Sequence, residues 1–434
     1  ALLACDLGHA GFQVTVYERR PDPRAAGFRG GRSINLALST RGIHALRQAG
    51  LAETVLNDAI PMRGRMMHYT NNECAFQPYS KDPDEAINSI SRGGLNITLL
   101  EACDQHDNVT LCFEHKCLDI DVDTPAATFE NEQTGETVTA TAHVIIGADG
   151  AFSAVRQRLQ KTDRFTYSQE FLAHGYKELH IPPRADGEFA MEPNALHIWP
   201  HGGAMMIALP NQDRSFTCTL FWPFKGEHSF DAIQSADDVR PFFEKHYPDA
   251  VPLMPTLVED FMNNPTSSLV TIRCSPWHYD GQVLLIGDAA HAIVPFYGQG
   301  MNCAFEDCAV LTDLIHARLR TGTLDWHEIL NTFSAERKDD ADTIADLALD
   351  NFIEMRDKVG SKAFLLKKRI EKTLHRWFPQ TFIPLYNMVS FSRIPYAEAR
   401  RRAQRQWRAA RTIAAGGGLL LIFAILAAIL LLSP

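Results

Sequence analysis

Residues 282–302 constrain the fold more than any other part of the chain. Val283-Leu284-Leu285-Ile286 is an apolar run fit for a buried strand, and Gly287-Asp288 ends it in a tight turn bearing an acid. In α/β proteins, ligands bind at the carboxyl ends of strands. Pro295-Phe296-Tyr297-Gly298-Gln299-Gly300 then leads into a helical pattern. The first N–H groups of a helix lack partners and carry the positive end of its dipole. A carboxylate able to grip sugar-like hydroxyls, close to a helix start able to hold negative charge, suits a flavin. Asp288 is the expected ligand of the ribityl chain. The amides of Gly300, Met301 and Asn302 are expected to face the ring system as it becomes anionic on reduction.

Two other segments have related patterns. A helical stretch from Ala1 is followed by Phe12-Gln13-Val14-Thr15-Val16-Tyr17-Glu18, which alternates like a strand and ends in an acid. Helix, strand and acidic end form the second half of a dinucleotide-binding βαβ unit. The first strand and its GxGxxG loop are expected upstream, so the sequence reads as truncated by about 20 residues. Tyr17, Glu18, Arg19 and Arg20 are assigned to the cofactor, with Glu18 as the ribose ligand. Residues 143–156 form another strand, turn and helix, with Asp149-Gly150 at the turn and Ser153 near the helix start.

A chain of 434 residues with 45% apolar content can bury a large core in two or three domains. A net charge of −10 argues against nucleic acid as a partner. The nine cysteines are scattered without CxxC or Cys/His spacing, so reduced thiols in a reducing compartment and no metal site are expected. Residues 40–56 read as one amphipathic helix. Residues 174–181, 195–199, 204–209 and 215–222 alternate or run apolar, with Pro and Gly between them, and read as strands.

The expected architecture is α/β. A Rossmann-like cofactor domain (1–165 and 276–330) is interrupted by a β-sheet substrate domain (166–275), and a helical region (331–411) follows. The cleft between such layers is the usual place for a small ligand. Residues 413–432 are apolar or glycine throughout, about 20 residues, long enough to cross a bilayer as a helix. Arg400, Arg401, Arg402, Arg405, Arg408 and Arg411 precede them, a flank of the kind that stays cytoplasmic. A tail anchor over 412–434, with the body on the cytosolic side, is expected.

Together the strand ending at Glu18, the Asp149-Gly150 turn and the Gly287-Asp288 turn resemble the FAD-binding motifs of the class A flavoprotein aromatic hydroxylases. Arg32-Ser33-Ile34-Asn35-Leu36-Ala37-Leu38, Gln77-Pro78-Tyr79 and residues 62–66, 174–179, 192–200, 351–355 and 382–389 are similar to the branch that hydroxylates kynurenine. The resemblance covers nearly the whole chain, tail included. It implies the aromatic-hydroxylase (GR2) fold, FAD as cofactor, NADPH and O2 as co-substrates, and L-kynurenine as substrate. The implied reaction is conversion to 3-hydroxykynurenine through a flavin C(4a)-hydroperoxide. In a eukaryote it implies the mitochondrial outer membrane.

The resemblance also implies site residues. Arg65, Tyr79, Asn351 and Tyr386 are expected to hold the amino-acid end of the substrate. Their chemistry agrees, since a guanidinium pairs bidentately with a carboxylate and the others offer neutral donors. Leu196, Phe221, Phe296 and Met355 are expected to wall the aniline ring. Arg92 corresponds to an FAD-contacting arginine, here facing the pyrophosphate, and Ala37 and Cys117 to positions that touch FAD mainly through backbone. Tyr297 departs from the His or Phe expected there. His291 is expected to be structural, and no catalytic base is assigned, because the aniline nitrogen already donates electron density. Two alternatives stay open: a hydroxylase or epoxidase of the same class acting on another aromatic or lipid, and a membrane-tethered flavin-binding protein without activity.

Overall fold

The computed structural model describes residues 1–25, 35–69, 73–80, 82, 84–354 and 362–413. Met355 and the apolar run from residue 414 onward lie outside the described residues. The chain separates into two compact units, Ala1–Val359 and Gly360–Pro434.

Outside its large sheet, the described part of the first unit contains two short parallel pairings. Val14–Tyr17 pairs with Val109–Cys112, and Ile145–Gly147 pairs with Val283–Leu285. Val283, Leu284 and Leu285 are fully buried, as the unbroken apolar run requires of a strand covered on both faces. Leu7, Leu46, Leu311 and Phe333 bring surrounding helices into the same core. Among these helices, Gly300–Thr321 and Trp326–Ile353 are the long ones.

Residues 40–56 form two helices rather than one, Thr40–Gln48 and Ala52–Asn57. The break is a Schellman end: Gly50 adopts φ 74°, its N–H donates to Arg47 O at 3.1 Å, and Leu51 N–H donates to Leu46 O at 2.8 Å. A positive φ costs glycine nothing, so the helix stops there.

A seven-stranded sheet forms the other half of this unit. Five strands are Thr166–Ile181, Ala195–His201, Ala204–Pro210, Phe216–Pro223 and Ser267–Ser275. Two more, Gly64–His68 and Cys74–Pro78, arrive from much earlier in the chain, the former pairing in parallel with Ala195–His201. One face carries Trp199, Met206, Leu220 and Trp222, which pack with Phe243 and Phe261 of the helices Ala236–His246 and Leu257–Asn263. Strand side chains alternate between faces. The register Arg65↔Leu196, Pro200↔Met205↔Phe221↔Tyr176 therefore puts these residues together on the opposite face.

The second unit is helical, with Lys362–Trp377, Leu385–Ser390 and residues 396–413. His375 Nδ1 lies 2.8 Å from the Phe382 carbonyl, and Phe382 meets Trp407 edge-on at 5.8 Å. Among the described residues no helix is long and apolar enough to cross a membrane.

Candidate active site

Strand Val283–Leu285 delivers the chain to Gly287, whose φ of 59° turns it sharply into the short helix Asp288–His291. Asp288 is open to solvent, yet desolvation by the surrounding protein raises its pKa, against the pull of His291 and Arg92. Arg92 opens the helix Arg92–Cys103, where Ser91 caps the first turn by accepting from Gly94 N–H at 3.2 Å. Its charge is close enough to act on Asp288.

The loop after Asp288 passes through Pro295–Tyr297 and a left-handed Gly298 (φ 66°) to the helix start at Gly300. Gly298 lies so close to Ala37 that a Cβ on it would come within 3.1 Å of the Ala37 Cβ. Asn302 is fully buried and locks this junction: its Nδ2 donates to Ala37 O at 2.7 Å and Gly298 O at 2.9 Å, and its Oδ1 accepts from Ser39 N–H at 2.8 Å. Its side chain therefore sets the helix start, whose first N–H groups lack intrahelical partners.

A chain of buried charges lies behind the turn. Arg41 meets Glu306 at 2.5 Å, Glu306 meets Arg337 at 2.9 Å, Arg337 Nε meets Asp307 at 2.8 Å, and Asp307 meets His291 Nε2 at 2.5 Å. Burial acts to lower the His291 pKa, but Asp307 and Cys303 raise it well above the ordinary value. Burial likewise acts to raise Asp307, and His291 and Arg337 hold it low. His291 is thus a cation in an ion pair, not a free base. Asp307 also accepts from Gly287 N–H at 3.2 Å and so anchors the turn that presents Asp288.

The Asp149-Gly150 turn is tied to the Asp288 turn by Arg156. Its Nη1 donates to Ala289 O at 2.7 Å and its Nη2 to Ala151 O at 2.6 Å. Asp149 itself caps the helix Ala154–Leu159, accepting from Ala154 N–H at 2.7 Å. Cys117 is close enough to Asp149 to feel its charge; burial first, then Asp149 and Asp119, push the Cys117 thiol up to about 11.

At the far strand end, Glu18 is exposed and accepts from Arg20 N–H at 2.9 Å. Arg19 reaches Glu132 at 3.5 Å. The Tyr17 ring stacks on Phe129 at 3.9 Å, so its side chain belongs to the core.

On the open face of the large sheet, the Arg65 guanidinium lies 5.6 Å from the Tyr79 ring centroid, with Leu196 on the adjacent strand. Phe221 meets Phe296 at 5.0 Å, and Phe296 stacks on Phe352 at 4.1 Å. Asn351 Nδ2 donates to Phe296 O at 2.6 Å. Tyr297, next to it, is buried. Tyr386 stands on the helix Leu385–Ser390 of the second unit, 6.4 Å from the Phe391 ring.

Residues 1–348 match a protein family described as FAD binding domain. The kynurenine 3-monooxygenase of Myxococcus xanthus is 49% identical over 396 residues, 91% of this chain and 84% of the relative. That of Anopheles gambiae is 47% identical over 409 residues, covering 94% and 82%. The chain belongs to the kynurenine 3-monooxygenase family.

Solved structures share the fold at low identity. A tetrameric 2-methyl-3-hydroxypyridine-5-carboxylic acid oxygenase aligns with a TM-score of 0.63 at 19% identity, covering 84% of this chain and 91% of that one. A p-nitrophenol 4-monooxygenase from Pseudomonas putida gives 0.63 at 18%, covering 85% and 89%.

Reading this kynurenine 3-monooxygenase family member from sequence overlooks Arg156, the Arg41-to-His291 ion chain and Phe352. Arg156 closes the segment 143–156, and that position was its only signal. Phe352 follows Asn351 directly. For the ion chain no local signal exists, because a charged residue on a helix reads as solvated until its buried partner is known.

Proposed function

We propose that this protein is an FAD-dependent monooxygenase that hydroxylates L-kynurenine at ring carbon 3, using NADPH and O2. The observation that carries the reading is the 5.0 Å contact of Phe221 with Phe296. It joins the sheet face bearing Arg65 to the loop that leads into the Gly300 helix. The residues fit FAD: a solvent-exposed carboxylate for hydroxyls, a guanidinium acting on it, and a helix start for negative charge. Glu18 and the backbone at Ala37 and Cys117 complete the proposed contacts.

When bound, FAD takes two electrons from NADPH and activates O2 so that one oxygen atom reaches the ring. The protein's part is positioning and exclusion of water. In this reading Arg65 pairs with the substrate carboxylate, and Tyr79 and Asn351 add donors. Leu196, Phe221 and Phe296 hold the aniline ring and keep water from it. The amides at Gly300 and Met301 stabilise charge on the reduced cofactor. The aniline nitrogen supplies electron density to the carbon attacked, so no protein base enters.

The apolar run 413–432 behind six arginines supports membrane anchorage, with the catalytic unit on the cytosolic side. The test of activity is kynurenine-dependent NADPH oxidation by the purified chain, with a product one oxygen atom heavier. Oxidation without a hydroxylated product overturns the reading.

A further inference from the structure

We propose that His201, His228 and His246 form a binding site for a divalent transition-metal ion of the zinc class, which clips the helix Ala236–His246 to the edge of the seven-stranded sheet. The three residues come from separate segments. His201 ends the strand Ala195–His201, His228 lies in the loop after Phe216–Pro223, and His246 is the last residue of its helix. His201 falls on the same face as Trp199 by strand alternation, the face that the helices cover, and its ring lies 6.0 Å from Tyr247. The site is therefore on the other side of the sheet from Arg65 and Leu196.

The geometry is that of a three-histidine metal site nearly closed. One ring nitrogen from each residue lies within 4.8 Å of the other two. The ring centroids are 4.8, 4.4 and 4.2 Å apart. Zinc–nitrogen bonds of about 2.0–2.1 Å in a tetrahedron place such nitrogens about 3.3 Å apart. Small rotations of the rings reach that spacing, and His228 stands on a loop beside Gly226, whose φ is 119°. His201 and His228 are half-exposed, so an ion can enter from solvent and keep a water as fourth ligand.

The electronic state also suits a metal. Neutral imidazoles present lone pairs at neutral pH. Lys245 opposes any cation here, so affinity rests on coordination bonds, which selects zinc, copper, nickel or cobalt over calcium and magnesium.

Among the described residues two other groups of potential metal ligands contain histidine, and in each the ring is already engaged. His68 contacts Asp249 at 2.6 Å and His197 at 2.8 Å, and His291 contacts Asp307 at 2.5 Å. The imidazoles of His201, His228 and His246 make no hydrogen bond among the described residues; only ring contacts hold them together.

The test uses the full chain without a histidine tag, loaded with FAD, stripped by chelator and titrated with Zn²⁺ in a calorimeter. Co²⁺ in place of zinc reports geometry through its visible spectrum. One equivalent of zinc should bind, with a tetrahedral cobalt spectrum and a raised melting temperature. His228→Asn, a loop change that leaves the core alone, and His246→Gln should each weaken zinc by about 100-fold or more. An unchanged flavin spectrum certifies the fold of each variant. Absence of stoichiometric zinc binding overturns the proposal. So does zinc binding that survives His228→Asn but is lost in Cys74→Ser, which would assign the metal to the His68, Cys74 and Asp249 cluster.

Discussion

The Asn302 side-chain amide donates to the Ala37 carbonyl at 2.7 Å, tying the helix start at Gly300 to a strand 265 residues earlier in the chain. The same buried side chain serves Gly298 O and Ser39 N–H. Asn302→Ala leaves those groups without partners where water does not reach them. Unsatisfied buried groups cost about 1–3 kcal/mol each. The variant should melt several degrees lower and lose flavin on gel filtration. Equal melting temperature and equal flavin content would show that the junction is held some other way.

Arg65 is set between Tyr79 and Leu196 by the parallel pairing of Gly64–His68 with Ala195–His201. Charge-assisted hydrogen bonds contribute about 1.5–3 kcal/mol, so Arg65→Ala should raise the KM for L-kynurenine by about 10- to 150-fold with flavin retained. Kynuramine, which lacks the carboxylate, supplies the matching control. The wild type should handle it poorly, and Arg65→Ala should handle it no worse. A wild type that turns over kynuramine and kynurenine with equal KM has no carboxylate subsite at Arg65.

Asp288 is held in an enclosed position where desolvation raises its pKa. A carboxylate there gains by accepting from hydroxyls, and Asp288→Ala removes that acceptor. The purified variant should carry much less FAD than wild type, with Asp288→Asn in between because an amide oxygen still accepts. Full occupancy of the alanine variant would move the ribityl contact elsewhere.

What sequence made legible followed from local pattern. The run Val283–Leu285, the turn at Gly287 and the acid after it are adjacent residues, so the strand, the bend and the acid beyond the strand end could be read together. The strand segments 174–181, 195–199, 204–209 and 215–222 showed in the same way, by alternation or apolar runs between Pro and Gly, whereas Ser267–Ser275 was not read. Long-range pairing was not legible. Nothing local in Gly64–His68 indicates that it joins Ala195–His201, and nothing in Arg156 indicates a carbonyl at Ala289, 133 positions away. The break at Gly50 was visible as a residue but not as a stop, because glycine inside an amphipathic pattern can also be tolerated. The three histidines at 201, 228 and 246 escaped because metal-ligand spacing is sought within a segment, whereas here each comes from a different one.

The His291–Asp307 pair makes stability depend on pH in a defined direction. His291 has a folded pKa raised well above 6.5. Its contribution is therefore complete below the unfolded value and declines as pH rises from about 6.5 through the folded value. Asp307 is depressed below 3.8, so its contribution is complete above that value and is lost as pH falls through the folded pKa. Denaturation midpoints measured across pH should show His291→Gln less stable than wild type at pH 5–6, with the gap narrowing steadily as pH rises above about 6.5. Removing one partner of a buried pair typically costs about 3–5 kcal/mol, so the gap at low pH is large enough to resolve. A gap that stays constant or widens with rising pH would mean that His291 is neutral in the folded protein. In that case Arg337 would supply the charge that holds Asp307, and the turn bearing Asp288 would lean on an uncharged imidazole.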